Sequence, residues 1–267
     1  MNDVQIREVE HHKHLGVIIS DNLSWNTHVE DIVKKASSRL NMMRRVKYLL
    51  DRYTLERVYL SFIRPLLEYA DSVWDNIPAY VNDTLENIQL EAARIATGGT
   101  KLTSRILLYR ETGWATLHER RNIHKLLQFY KMYHKLTPDY LSCLVPSSVH
   151  DIHGYNTRNA NCVRNIVTRT AFYANSFLPS VIKLWNEIPV DIRNASIGVF
   201  KKYLMKNKVS PPPYYYIGSR KVQILHSKLR LECSALNEHL FRKNLVDSPR
   251  CSCGSIETPY HYRVSKV

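Results

Sequence analysis

Apolar residues recur at three- and four-residue spacing from Val29 onward. Val29, Ile32, Val33, Ala36, Leu40, Met43 and Leu50 form one stripe, and Lys34, Lys35, Arg39, Arg44, Arg45 and Lys47 fill the other positions. That pattern predicts an amphipathic, strongly basic helix. Its start is expected at Thr27-His28-Val29-Glu30, a capping-box pattern in which hydroxyl and carboxylate satisfy free amides of the first turn. A second helix is predicted from about Thr54 to Trp74, with Leu55, Val58, Tyr59, Phe62, Leu66, Tyr69 and Val73 on its apolar side and a kink at Pro65. Asp83 or Thr84 is expected to cap a third helix carrying Leu85, Ile88, Ala92 and Ile95, ended by Gly98-Gly99. A short helix from Ser104 to Glu111 stops at Gly113. A long one, Leu117 to Leu136, turns Leu117, Ile123, Leu127, Tyr130 and Tyr133 toward a core. Five helices on short loops predict a mainly α chain built as a helical bundle.

The flanks read differently. Leu15-Gly16-Val17-Ile18-Ile19 before Asp21-Asn22 reads as a strand ending in a turn. A lone strand is not stable, so its partner is expected elsewhere in the chain or in a larger domain cut at this point. Residues 146–168 lack periodicity and read as a linker or an extended wrap. Order returns with a helix through Ser176 to Asn186, entered or kinked at Pro179, and a last one capped by Ser196 with Val199, Phe200, Tyr203 and Leu204. Pro211-Pro212-Pro213 before Tyr214-Tyr215-Tyr216 predicts an extended spacer. Beyond it a small tail unit is expected, with a helix from about Ser227 to Phe241 and a cysteine/histidine cluster.

Charge narrows the function. The 267 residues carry 38 Lys+Arg against 24 Asp+Glu, a formal +14, which makes nucleic acid the first partner to consider and an anionic membrane surface the second. No stretch approaches the roughly 20 apolar residues of a membrane span, and the N-terminus does not read as a secretion signal. Five scattered cysteines do not make a disulfide framework, so an intracellular, reducing setting is expected, nuclear or cytoplasmic. The eight glycines form neither a dinucleotide-binding nor a P-loop pattern.

Several landmarks follow one another in a recognisable order: Lys13-His14-Leu15-Gly16-Val17; Asp21 to Trp25 with His28; Tyr59 to Trp74 around Arg64-Pro65-Leu66-Leu67-Glu68-Tyr69-Ala70; and Leu85-Glu86-Asn87-Ile88-Gln89 with Ala92-Ala93-Arg94-Ile95. They continue through Gly113-Trp114, Arg120-Arg121, Tyr130-Lys131, Thr137-Pro138, Ser176-Phe177-Leu178-Pro179, Leu184-Trp185-Asn186, Pro189 and Phe200-Lys201. In this order the chain resembles the segment after the polymerase core of jockey-like non-LTR retrotransposon reverse transcriptases, the RNA-directed DNA polymerases of those elements. The resemblance implies a palm remnant over 1–26 (a strand or hairpin) and a thumb-like helical bundle over 27–145. It further implies a linker with accessory helices over 146–210, and a spacer with a degenerate zinc-knuckle-like tail over 211–267. The implied role is backbone grip on RNA or RNA/DNA hybrid, alongside the missing polymerase core and without catalysis of its own. The alternative is a helical protein-interaction scaffold recruited by a host from an element remnant.

The candidate chemistry is sparse. Tyr69-Ala70-Asp71-Ser72 is superficially similar to the polymerase Tyr-x-Asp-Asp signature, but the second carboxylate of the metal-holding pair is Ser72 and the spacing is helical, so no catalytic residue is expected. Glu68 and Asp71 are expected to be solvated or paired with nearby Arg. Lys34 to Arg52 holds seven basic residues against Asp51, and Lys34, Lys35, Arg39, Arg44 and Arg45 are the expected nucleic-acid contacts. Arg120 and Arg121 are added, with Arg158, Arg164 and Arg169 behind them. Trp25, Trp74, Trp114 and Trp185 are read as core anchors and not stacking platforms. The resemblance makes Cys251, Cys253 and His261 zinc ligands. The cysteine expected as the fourth ligand, five residues after His261, is replaced by Lys266, leaving Cys233, His239, water or a partner to complete the site.

Overall fold

The computed structural model describes residues 8–153, 160–206 and 210–264, and they are mainly helical. The chain opens on a hairpin. Strand β1 (His11–His14) pairs antiparallel with β2 (Val17–Ser20), His14 opposite Val17. Leu15 and Gly16 between them have φ of 46° and 87°, as a two-residue type I′ turn requires. The Tyr69 hydroxyl donates to the Leu15 carbonyl at 2.7 Å, and its ring lies 3.4 Å from where a Cβ on Gly16 would stand. The strand therefore finds its partner in the residues just before it, all four of them exposed and without alternation.

Helix α1 (Asn26–Arg45) begins one residue ahead of Thr27, so the expected capping box lies inside the first turn. The Ser24 hydroxyl accepts from Asn26 N at 3.3 Å and so satisfies one free amide of the first turn. Val29, Ile32, Ala36, Leu40 and Met43 form the buried stripe. The expected second helix is four pieces: α2 (Arg52–Val58), a π-turn (Tyr59–Ile63), α3 (Arg64–Glu68) and, after Ala70 at φ 52°, α4 (Asp71–Trp74). Pro65 has no amide to donate, and the chain accommodates it by widening the preceding turn, Arg64 N–H donating five residues back to the Tyr59 carbonyl. The extra residue advances the phase by about 100°. The buried set therefore shifts by one position, from the expected Phe62, Leu66 and Val73 to Ile63, Leu67 and Trp74.

Then follow α5 (Ala79–Thr97), α6 (Arg105–Thr112, capped by Ser104 and closed by Gly113 at φ 67°) and α7 (Leu117–Tyr133, opened by a Thr116/Glu119 capping box). The short helices α8 (Asp139–Ser142), α9 (Val149–His153) and α10 (Ala171–Ala174) lead to α11 (Phe177–Asn186), α12 (Val190–Arg193) and α13 (Ile197–Leu204). A 3-10 turn (Pro213–Tyr216), α14 (Arg220–Arg230), α15 (Asn237–Phe241) and α16 (Pro259–Val264) complete the order. No helix among the described residues is long and apolar enough to cross a membrane.

These elements fall into two interleaved units. Unit 1 takes Met1–Ile32, Glu68–Asp83 and Thr116–Asn207; unit 2 takes Val33–Leu67, Thr84–Ala115 and Lys208–Val267. The two units alternate along the chain, whereas the segments implied by the resemblance follow one another. In unit 1 the core is aromatic, with Trp185 fully buried and Phe129, Tyr130 and Phe200 around it. The stretch after residue 160 is an extended wrap, since buried Val163 is held by the Asn186 side chain, which accepts from Val163 N at 3.0 Å and donates to Val163 O at 2.8 Å.

In unit 2 the segment after Pro213 is no separate tail. Leu231 joins the core of Leu90, Ala93 and Leu108. The tyrosines expected in a spacer lie against cations, with the Arg230 guanidinium 3.7 Å from the Tyr215 ring centre and that of Arg52 5.2 Å from Tyr216. Arg52 is fully buried. It donates to Glu56 at 2.8 Å, to the Glu111 carboxylate at 2.6 Å and to the Glu111 carbonyl at 2.6 Å, while its own amide donates to Gln223 at 2.9 Å.

The Tyr216 hydroxyl donates to Glu56 at 3.0 Å. Burial, then the Glu56 charge beside it, push Tyr216 up from about 10 to about 12. The folded chain thus holds this proton more tightly than the unfolded chain, so the stabilisation is intact below about pH 10 and is lost as pH rises to about 12. A stability titration across that window is expected to fall more steeply for the wild type than for Tyr216→Phe. Parallel curves would contradict it.

Candidate nucleic-acid interface

Helix α1 turns about 100° per residue, which places Lys34, Arg45, Lys35 and Arg39 within an arc of about 140° and Arg44 about 80° to the other side. Lys34, Lys35 and Arg45 are exposed on this outer arc. The other two border the buried stripe. Arg39 donates to the Phe62 carbonyl and lies 5.8 Å from the Phe62 ring centre. Arg44 donates to Asn41 at 2.8 Å and stands 3.4 Å from Glu91. The five cations are thus distributed around the solvent side of the helix, all of them exposed except Arg39, which is half-buried. Arg52, counted in the same basic run, is consumed by the buried network of unit 2.

The α7 arginines behave otherwise. Arg121 is 1% exposed and donates to Asp75 and Asn82, so it is a buried structural cation and not a phosphate contact. Arg120 forms a two-point pair with Glu68. With His124 on Asp71 at 2.5 Å and Lys125 on Asp75 at 2.6 Å, these residues make a polar seam of unit 1. Periodicity hid it, because the buried side of α7 includes Arg121 and Lys125 beside Leu126 and Phe129. Glu68 and Asp71 are paired as expected, Asp71 with a histidine. Arg164 and Arg169 are exposed, and Arg158 lies outside the described residues. Trp74 and Trp185 are fully buried; Trp25 is half-buried, as is Trp114, which stacks on Tyr59 at 4.3 Å.

The C-terminal donors do come together. Cys251 and Cys253 sit on a tight turn closed by Gly254 N donating to the Cys251 carbonyl at 3.0 Å, and His261 stands on α16, whose first turn is capped by Thr258. His261 Nε2 lies 3.2 Å from each sulfur, and the three donor atoms lie within 4.8 Å of one another. Two sulfurs and an imidazole are a donor set that suits zinc, provided both cysteines are thiolates; here the sulfurs are in disulfide contact. His239 is not part of this group. It is buried and bonded to the Ser234 hydroxyl at 2.7 Å, and burial holds its imidazole below the ordinary histidine value. Lys266 lies outside the described residues.

Sequence reasoning missed a second cationic feature, a cleft in unit 2 of about 290 Å³ lined from three separate stretches. Arg44 and Lys47 come from the end of α1 and the turn after it, Arg94 and Lys101 from the end of α5 and its loop, and Arg220 and Lys228 from α14. The one signal in the sequence was Gly98-Gly99 beside scattered cations, a backbone close approach with no local charge run to mark it. Comparison of the chain with protein-family models, with curated proteins and with solved structures returns no match.

Proposed function

We propose that this chain is a helical module that grips the backbone of RNA or RNA/DNA hybrid without turnover of its own, as the segment after the polymerase core of a jockey-like non-LTR retrotransposon reverse transcriptase would. The observation that carries the reading is the outer arc of α1, where Lys34, Lys35 and Arg45 are exposed on a chain of formal charge +14. Phosphate recognition needs cations on a surface of suitable shape more than base-reading side chains. The same reading gives Asp71 a structural part, since its carboxylate is engaged by His124 and Ser72 follows it. Cys251, Cys253 and His261 would hold a structural zinc in this reading, with the fourth position taken from outside the group.

Full-length protein titrated into a labelled RNA/DNA hybrid is expected to bind with steep salt dependence and little sequence preference. Lys34→Glu/Lys35→Glu/Arg45→Glu should weaken binding more than tenfold and flatten the logarithmic salt slope by about 2–3, as loss of three phosphate contacts requires. No binding by the wild type at low salt overturns the reading. Binding indifferent to the reversal would favour a protein-interaction scaffold instead.

A further inference from the structure

The cleft of unit 2 is concave where the outer arc of α1 is convex, and all but one of the charged residues that line it are cations. Arg44, Lys47, Arg94, Lys101, Arg220 and Lys228 face it. Glu91 is its single acid, already engaged by Arg94 at 2.6 Å and Arg44 at 3.4 Å. Among the described residues neither Lys101 nor Lys228 is paired with a carboxylate. Six like charges around so small a space repel one another, and an entering anion relieves that repulsion.

A helix C-terminus ordinarily repels anions, because its last carbonyls point outward unpaired. At the end of α5 this objection is removed by Arg220, whose guanidinium donates to the carbonyls of Ile95 at 2.6 Å and Ala96 at 2.5 Å, and to that of Lys47 at 3.0 Å. Burial lowers Arg220 to about 10, which leaves it charged at neutral pH. The cleft is also narrow by construction. Gly98 has φ +78°, and a Cβ there would stand 2.7 Å from Ile224 Cγ2, so only glycine lets α5 end this close to α14. Thr100 adds a hydroxyl to the lining, Ile95 and Ile224 add an apolar patch, and Tyr48 lies at the rim with 70% of its surface exposed.

We infer that this cleft seats a phosphate of a single nucleic-acid strand, with the ring of Tyr48 offered to an adjoining base. The inference rests on the nucleic-acid reading and adds a second, strand-selective contact to it. A volume of about 290 Å³ stands at the lower end of the range for small-ligand sites, enough for one phosphorylated unit and too little for a paired duplex. A cationic groove with an aromatic beside it is the combination that single strands require, charge following the backbone and the ring accepting any base.

The test uses the full-length chain with two probes, a labelled 12-nucleotide oligothymidylate and a blunt RNA/DNA hybrid, at several salt concentrations. Lys101→Glu/Lys228→Glu is expected to weaken the single strand at least tenfold while the hybrid changes less than about twofold. Tyr48→Ala should weaken the single strand about fivefold or more, also without effect on the hybrid. Lys101→Arg/Lys228→Arg should restore single-strand binding, which rules out a folding defect as the cause. Equal loss on both probes, or no loss on either, overturns the cleft while leaving the wider reading in place. Failure of the wild type to bind either probe removes both.

Discussion

Replacing Arg52 by alanine is expected to cost unit 2 about 3–5 kcal/mol, because it leaves the Glu56 and Glu111 carboxylates without their shared cation in a buried site. The two residues are 6% and 4% exposed, so water cannot take the place of the guanidinium. Glu111 keeps Arg230 at 2.6 Å, which moderates the loss there, whereas among the described residues Glu56 is left with the Tyr216 hydroxyl. Lysine should not rescue the site. One ammonium cannot reach Glu56, the Glu111 carboxylate and the Glu111 carbonyl at once, which the planar fork of Arg52 does. Hydrogen exchange on peptides from α2 and α14 would measure the effect. Protection unchanged by Arg52→Ala, or fully restored by Arg52→Lys, would contradict it.

Trp185→Ala should cost unit 1 a similar 3–5 kcal/mol, by loss of buried surface and the cavity left behind. The indole is fully buried, with ring centres of Phe129 and Tyr133 both at 5.1 Å and Phe200 at 5.6 Å. Phenylalanine should be tolerated far better than a buried tryptophan usually allows. The Trp185 Nε1 proton has no acceptor among the described residues, so exchanging indole for benzene forfeits no hydrogen bond. Urea unfolding of the two variants separates the contributions, and a Trp185→Phe loss equal to that of Trp185→Ala would show that the N–H is bonded after all.

What could be read from the sequence follows how local each signal is. The α1 stripe was legible because Val29 through Met43 keep their spacing without interruption, and Ser104 and Thr116 mark helix starts by chemistry confined to a few residues. The second helix was legible only as far as Tyr59. Past that residue one extra position in the π-turn rotates the face, and no propensity scale records it. The Pro211–Tyr216 run misled because composition describes a solvated segment, while Arg52, far away in sequence, and Arg230, at the end of the next helix, supply cationic groups for its rings. The candidate site divides the same way. Lys34, Lys35 and Arg45 belong to one helix and could be found together, whereas the cleft draws its charges from three stretches that only the fold brings near each other.

The alternation of the two units along the chain also sets an order of events during synthesis. Arg52 leaves the ribosome early, but Gln223, Ser227 and Arg230, which surround it and its partner Glu111, are made about 180 residues later, roughly ten to forty seconds at usual elongation rates. In that interval the residues around Trp185 have already emerged as a complete set. The nascent polypeptide therefore carries an unfinished charged centre through most of its translation, and the unit that holds it is completed only after the other has been made in full.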